Sequence, residues 1–129
     1  TNAIPLFSGT TCVNTAGNVF GATLSAITVA APNCATGVTY DLWYSFVAQT
    51  TNPTITLSSI GSAFVNPRMQ LLSGTCGGTL TSLFCGTTSI NADYLAPGTT
   101  YFVRVYSTSA APGSSTNAGF NICVTDPVE

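Results

Sequence analysis

The chain has 129 residues and a net charge of −2, and it contains no histidine, no lysine, two arginines and four carboxylates. Catalysis at neutral pH depends on side chains that carry protons or charge, so this composition predicts a non-catalytic domain that needs no cofactor. Two isolated arginines cannot follow a phosphate backbone, and no apolar run is long enough to cross a bilayer, which argues against nucleic-acid binding and membrane insertion.

Segments rich in β-branched and aromatic residues alternate with turn sequences along the chain and predict strands rather than helices. In chain order the predicted strands cover 20–29, 40–47, 54–60, 68–72, 80–84, 101–106 and 120–124. About eight short strands with frequent turns predict an all-β fold, specifically an antiparallel β-sandwich of jelly-roll type. We expect one domain over residues 1–125, followed by a linker or tail over 126–129.

Five cysteines are spread along the sequence, and none forms a C-x-x-C pair. In a strand-rich chain with so little charge, they favour disulfides and an oxidising, extracellular compartment, with buried free thiols as the alternative. The short spacing of Cys76 and Cys85 predicts a clamped hairpin, and Cys12 with Cys34 would tie the N-terminal segment to the next strand. Cys123 is then left without a partner. Without histidines, and with scattered carboxylates, no metal site is predicted.

Period-two alternation assigns the side chains of two predicted strands to faces. Asp41 and Trp43 share one face of their strand, and three alternate residues of the 101–106 strand share another. If both strands lie in one sheet, they present an outward platform on which a sugar ring could stack. Its members are Trp43, Phe102, Arg104 and Tyr106. The alternative is that Trp43 is a core residue and that Asp41 and Arg104 form a structural ion pair.

Several motifs follow one another in a characteristic order. They are N-A-I-P-L from Asn2, D-L-W-Y-S-F from Asp41, L-L-S-G-T-C from Leu71, L-A-P-G-T-T-Y-F-V-R-V from Leu95 and G-F-N-I-C-V from Gly119. In order and spacing, this series resembles bacterial pre-peptidase C-terminal domains (PPC-like domains, also described as CUB-like). Such domains occur, often in tandem, in secreted and cell-surface proteins, including those exported by type IX secretion in gliding bacteria.

The resemblance implies a stapled β-sandwich that adjoins other modules of the same protein. Family members commonly carry an N-D-x-C stretch just ahead of the N-A-I-P-L motif, which implies that Cys123 pairs with a cysteine preceding Thr1. Where relatives often have an aspartate before the central strand, this chain has Asn66 followed by Pro67, and this departure argues further against a calcium site.

Two functions from different classes remain open at the level of sequence. The first is a structural or adhesive repeat of a bacterial surface protein or filament, whose partners are neighbouring modules of that protein or filament. The second is a carbohydrate-binding accessory module of a secreted polysaccharide-degrading enzyme or protease, whose partner is a polysaccharide. Either function places the protein outside the cell or on its surface.

Overall fold

A computed structural model describes residues 3–22, 24, 28–30, 34–35, 37–74, 78–110 and 112–127. Within these residues the protein is all-β, as predicted, and has no helix, so none that is long and apolar enough to cross a membrane. The described residues form eleven strands rather than about eight. They are β1 (Ile4–Leu6), β2 (Ser8–Gly9), β3 (Thr15–Asn18), β4 (Thr28–Ala30), β5 (Tyr40–Val47), β6 (Thr54–Ser58), β7 (Pro67–Ser73), β8 (Thr79–Gly86), β9 (Ser89–Asn91), β10 (Thr100–Ser107) and β11 (Gly119–Thr125).

The strands form two sheets. The six-stranded sheet has the order β1-β5-β10-β7-β8-β4, and the five-stranded sheet has the order β2-β11-β6-β9, with β3 also paired to β11. The long strands pair antiparallel, whereas β1, β2 and β4, which have only two or three residues, pair in parallel with β5, β11 and β8. The predicted antiparallel arrangement therefore holds for the long strands and not for these three short ones.

The main hydrophobic core contains buried side chains from both sheets. Tyr44 and Val103 come from the six-stranded sheet, and Ile55 and Phe120 come from the five-stranded sheet. The rings of Tyr44 and Phe120 meet edge to face, with centroids 6.2 Å apart. Aromatic pairs prefer this geometry because the positive ring edge of one faces the negative ring face of the other. Alternation thus assigned the inward face of β5 correctly.

The strands that the sequence did not predict are short. β1, β2, β3 and β9 have two to four residues, which is too few for apolar and polar residues to alternate recognisably. The predicted strand over 20–29 lies partly outside the described residues. Of the part that is described, Phe20 and Gly21 form a turn, in which Gly21 has a φ of 80°, and Thr28 and Val29 belong to β4. A positive φ ends a strand, and glycine adopts it without steric cost.

Two disulfides correct the predicted pairings. Cys12 is bonded to Cys123, and Cys34 is bonded to Cys85, with Cα atoms 5.5 and 6.2 Å apart, both within the usual range for disulfides. The bridges Cys76–Cys85 and Cys12–Cys34 are therefore wrong, as is an unpaired Cys123 or its pairing outside the chain. Cys76 itself lies outside the described residues. Sequence proximity misled for Cys12 and Cys123 because the parallel pairing of β2 with β11 brings residues 8–9 beside residues 124–125.

Candidate functional site

The residues of the predicted platform do come together, on the face of the six-stranded sheet that points away from the main core. In the β5–β10 register, Arg104 lies opposite Trp43 and Tyr106 lies opposite Asp41. The Arg104 Nε donates a hydrogen bond of 2.8 Å to Asp41 Oδ2, so the predicted ion pair is present. The guanidinium carbon of Arg104 lies 5.8 Å from the Trp43 ring centroid and 5.7 Å from that of Tyr106, within cation–π range of both rings.

This group is closed to solvent, which corrects the prediction of an outward platform. Trp43 is 7% exposed, Phe102 9%, Arg104 4% and Tyr106 3%. Trp43 and Phe102 form a second hydrophobic cluster with two leucines of β7 and β8, against which Ala3 and Val29 also pack. Burial raises the pKa of Tyr106, and the two arginine charges offset part of that rise. The cluster therefore stabilises the fold instead of offering a stacking surface.

The Cys34–Cys85 disulfide explains part of the cover over this face. Cys85 lies opposite Gln70 in the β7–β8 register, and Gln70 lies opposite Arg104, so the three share one face of the sheet. The disulfide holds Cys34 on that face, and the adjacent Ala35 is buried. Alternation identifies which face a side chain is on, but the segment that covers the face comes from elsewhere in the chain.

A second constellation, the terminal staple, joins the two ends of the described chain. We define it by the Cys12–Cys123 disulfide, the β2–β11 pairing and the hydrogen bonds of Asp126. The Asp126 carboxylate accepts hydrogen bonds from the hydroxyls of Ser8 and Thr50, and its backbone N–H donates to the Gly9 carbonyl at 2.7 Å. Asp126 was predicted to begin a linker or tail, but it is only 5% exposed and belongs to the folded domain.

A third feature, the end cavity, lies where β7 ends and β10 begins and has a volume of about 310 Å³. Its apolar lining comes from Leu83 and Phe84 of β8 and from Leu95 and Tyr101, and Ser73 is a polar lining residue. Asp93 and Tyr94, both exposed, complete the lining.

Tyr94 is the most exposed large hydrophobic side chain among the described residues, at 92%, and its backbone has a φ of 61°. The backbone around it is anchored on both sides. The N–H groups of Ala92 and Leu95, both buried residues, donate to the carbonyls of Pro53 and Thr51 at 3.0 Å each. The N–H of Tyr94 itself donates to Asp93 Oδ1 at 2.9 Å.

Sequence reasoning missed the end cavity because its lining residues come from four separate parts of the chain. Asp93 was among the scattered carboxylates from which no metal site was predicted. One local signal was available: Tyr94 is an isolated aromatic residue between Asp93 and the turn at Pro97 and Gly98. Loops that present a large aromatic residue on a rigid scaffold are frequent positions for binding sites.

Comparison with known proteins found no relative of this chain. No family model, no curated protein and no solved structure matches the chain. In the described part of the chain there is also no group of three or more cysteine, aspartate or glutamate side chains placed to hold a metal ion. Function must therefore be inferred from the contacts within the molecule itself.

Proposed function

We propose that this chain is a non-catalytic, extracellular β-sandwich module of the PPC-like type, acting as a structural or adhesive repeat that transmits tension within a bacterial surface protein or filament. The observation that carries the proposal is the terminal staple. A module that lies in series with others is pulled by its two ends, so the contacts between those ends decide whether it unfolds under load. In this chain Cys12 and Cys123, which lie towards opposite ends of the described residues, are joined covalently.

The path of the force follows from the connectivity. A load applied at the two ends first meets the short strands β1 and β2, which precede Cys12, and beyond them the disulfide carries it past the 111 residues of sequence separation between Cys12 and Cys123. The backbone pairing of β2 with β11 also resists the load. Because β2 and β11 run parallel, opposite pulls on the chain ends act along the strand axes and load their hydrogen bonds together in shear.

The environment of the carboxylates supports a non-catalytic role. Asp41 is buried in an ion pair with Arg104, and Asp126 accepts hydrogen bonds from Ser8 and Thr50. A general acid or base must be free to exchange a proton with a substrate, and a structural ion pair leaves a carboxylate poorly placed to do so. Asp93 is the one exposed carboxylate among the described residues.

The disulfides and the composition support an extracellular location. Disulfides persist in oxidising compartments and are rare in reducing ones, and this chain has two. With only 5% charged residues, most of the polar surface consists of hydroxyl and amide side chains. Such a surface lets modules pack against one another without desolvating many charges. The carbohydrate-binding alternative has no open platform at Trp43. The end cavity, with the exposed Tyr94 in its lining, favours it instead.

Force spectroscopy on a tandem array of the domain tests the tension-bearing role. In the oxidised protein, no extension step should come from the residues between Cys12 and Cys123. The double variant Cys12→Ser, Cys123→Ser should release about 60 residues, because the second disulfide still encloses 51 of the 111, giving a step of about 210 Å at ~3.5 Å per residue. Full reduction should lengthen the step to about 390 Å.

The matched control is Cys34→Ser, Cys85→Ser, which removes a disulfide that does not lie on the force path. Its oxidised form should show no unfolding step, like the unsubstituted chain. A step of hundreds of ångströms from the oxidised, unsubstituted domain would contradict the proposal, since residues between Cys12 and Cys123 would then extend despite the disulfide.

A further inference from the structure

We propose that the end cavity is a binding subsite for a neutral pyranose ring of a polysaccharide, with Tyr94 as the stacking surface and with Asp93 and Ser73 as hydrogen-bonding groups. This inference does not rest on the tension-bearing role, since the cavity and the terminal staple share no residue. It also locates the site away from Trp43, the residue from which a sugar-binding surface was first predicted.

The exposure of Tyr94 is the first argument. Its side chain buries almost no area, so it contributes little to the core, yet its backbone adopts the left-handed conformation that non-glycine residues rarely accept. Such conformations cost free energy and persist where the surrounding structure enforces them, often at ligand sites. The hydrogen bonds of Ala92 and Leu95 provide that enforcement. The aromatic ring is thus attached to a loop whose backbone is already ordered before a ligand arrives.

The chemistry of the lining indicates the class of ligand. Phe84 and Tyr101 give the cavity aromatic walls, and its polar groups are few: one carboxylate, one serine hydroxyl and the tyrosine hydroxyls. The Tyr101 hydroxyl is already engaged, since it accepts a hydrogen bond from the Ala96 N–H at 2.8 Å. A pyranose ring has an apolar C–H face and a rim of hydroxyls, which matches an aromatic surface beside a small number of directed polar groups.

Charge argues for a neutral sugar over an acidic one. The chain has only two cations, Arg68 and Arg104, and neither lines the cavity. Asp93 is the single charged group of the lining, so a uronic acid or a sulfated sugar would meet repulsion and no counter-charge. A cationic ligand is the remaining rival. One exposed carboxylate attracts a cation only weakly in water, whereas it accepts hydrogen bonds from sugar hydroxyls without needing to neutralise a charge.

Affinity electrophoresis of the folded domain through gels containing soluble neutral glucan, mannan, galactan or xylan tests the proposal. At least one of these polysaccharides should retard the unsubstituted protein. Tyr94→Ala should weaken that retardation about tenfold or more, because the stacking surface is lost, whereas Tyr94→Phe should keep it within about threefold. Because Tyr94 is exposed, both variants should keep the near-ultraviolet circular dichroism of the unsubstituted fold.

The matched control is Phe7→Ala, since Phe7 is 87% exposed but does not line the cavity, and its loss should leave retardation unchanged. Asp93→Asn should weaken the retardation by about threefold or more without abolishing it, because an amide oxygen still accepts hydrogen bonds but more weakly than a carboxylate does. The proposal is overturned if no neutral polysaccharide retards the protein or if Tyr94→Ala is retarded equally.

Discussion

Arg104 illustrates, at the scale of a single residue, how a charge is accommodated inside this protein. Its guanidinium is buried between two aromatic rings and paired with Asp41, which is itself 4% exposed. Each charge lowers the free-energy cost of burying the other. Removing one partner of the pair therefore destabilises the protein far more than removing an exposed charge does.

We expect Arg104→Leu to lower the free energy of unfolding by about 3–5 kcal/mol, because it leaves the Asp41 carboxylate buried beside an apolar side chain. The matched control is Arg68→Leu, which removes the only other cation of the chain, an exposed one, and should cost less than about 0.5 kcal/mol. Urea denaturation at neutral pH measures both. Equal losses of unfolding free energy in the two variants would show that the buried Asp41–Arg104 pair contributes no more to stability than an exposed arginine does.

Tyr44 presents the opposite case, a buried hydroxyl without a hydrogen-bond partner among the described residues. Desolvation raises its pKa from 10.0 to about 12. Between those two pH values the unfolded chain has lost a proton that the native protein keeps. Tyr44 ionisation therefore has no effect on stability below pH 10, and the cost of keeping its proton lowers the free energy of unfolding as the pH rises from 10 towards 12.

Tyr44→Phe should leave the free energy of unfolding at pH 7 unchanged or raise it by up to about 1 kcal/mol, since a buried polar group is removed. The substitution should also reduce the loss of unfolding free energy between pH 10 and pH 12 by about 2–3 kcal/mol. Tyr101→Phe is the control: its hydroxyl accepts the Ala96 N–H, so its loss should destabilise the protein at pH 7 by about 1 kcal/mol. If the free energy of unfolding of Tyr44→Phe falls between pH 10 and pH 12 as much as that of the unsubstituted protein, the raised pKa of Tyr44 is contradicted.

At the scale of elements, the short strand β3 depends on a close approach that only glycine permits. Gly17 lies opposite Phe120 in the β3–β11 register, and a Cβ added there would come within 2.6 Å of Phe120 Cζ. The same atom would also clash with the hydroxyl of Tyr44. Both neighbours are buried core residues and have little room to move.

Gly17→Ala should therefore displace β3 or the core rings and cost about 1–3 kcal/mol in the free energy of unfolding. Gly9→Ala in β2 serves as the control, because a Cβ at that position meets no atom within 4 Å, and it should be nearly neutral. Thermal or urea denaturation distinguishes the two variants. A neutral Gly17→Ala would mean that β3 is not held against the core as closely as described.

How much the sequence could predict differs between elements for physical reasons. Strands β5 and β10 have eight residues each, so alternation had room to identify both their type and their inward faces. The pairing of Asp41 with Arg104 followed from that alternation. The cover over Trp43 could not be predicted, because it is supplied by residues from distant parts of the chain. The end cavity was missed for the same reason, since its lining is assembled only in the folded protein.

At the scale of the whole molecule, the disulfides determine how the domain responds to load and to reduction. The predicted bridges would have closed two short loops and left the ends of the chain independent. The observed bridges instead span 111 and 51 residues, and the longer one encloses the other. Chain entropy gives each about 4–5 kcal/mol of stabilisation, since longer loops constrain the unfolded state more. The tension-bearing role depends on the longer bridge alone.

The covalent attachment of Cys123 to the rest of the chain can be tested by a tryptic digest of the urea-denatured, unreduced protein, because trypsin has only Arg68 and Arg104 as cleavage sites. Bridges Cys12–Cys123 and Cys34–Cys85 join all three products, 1–68, 69–104 and 105–129. We predict one species of about 13.2 kDa in the mass spectrum that separates into three peptides on reduction. Release of peptide 105–129 before reduction would show that Cys123 is not joined to Cys12 and would contradict the terminal staple.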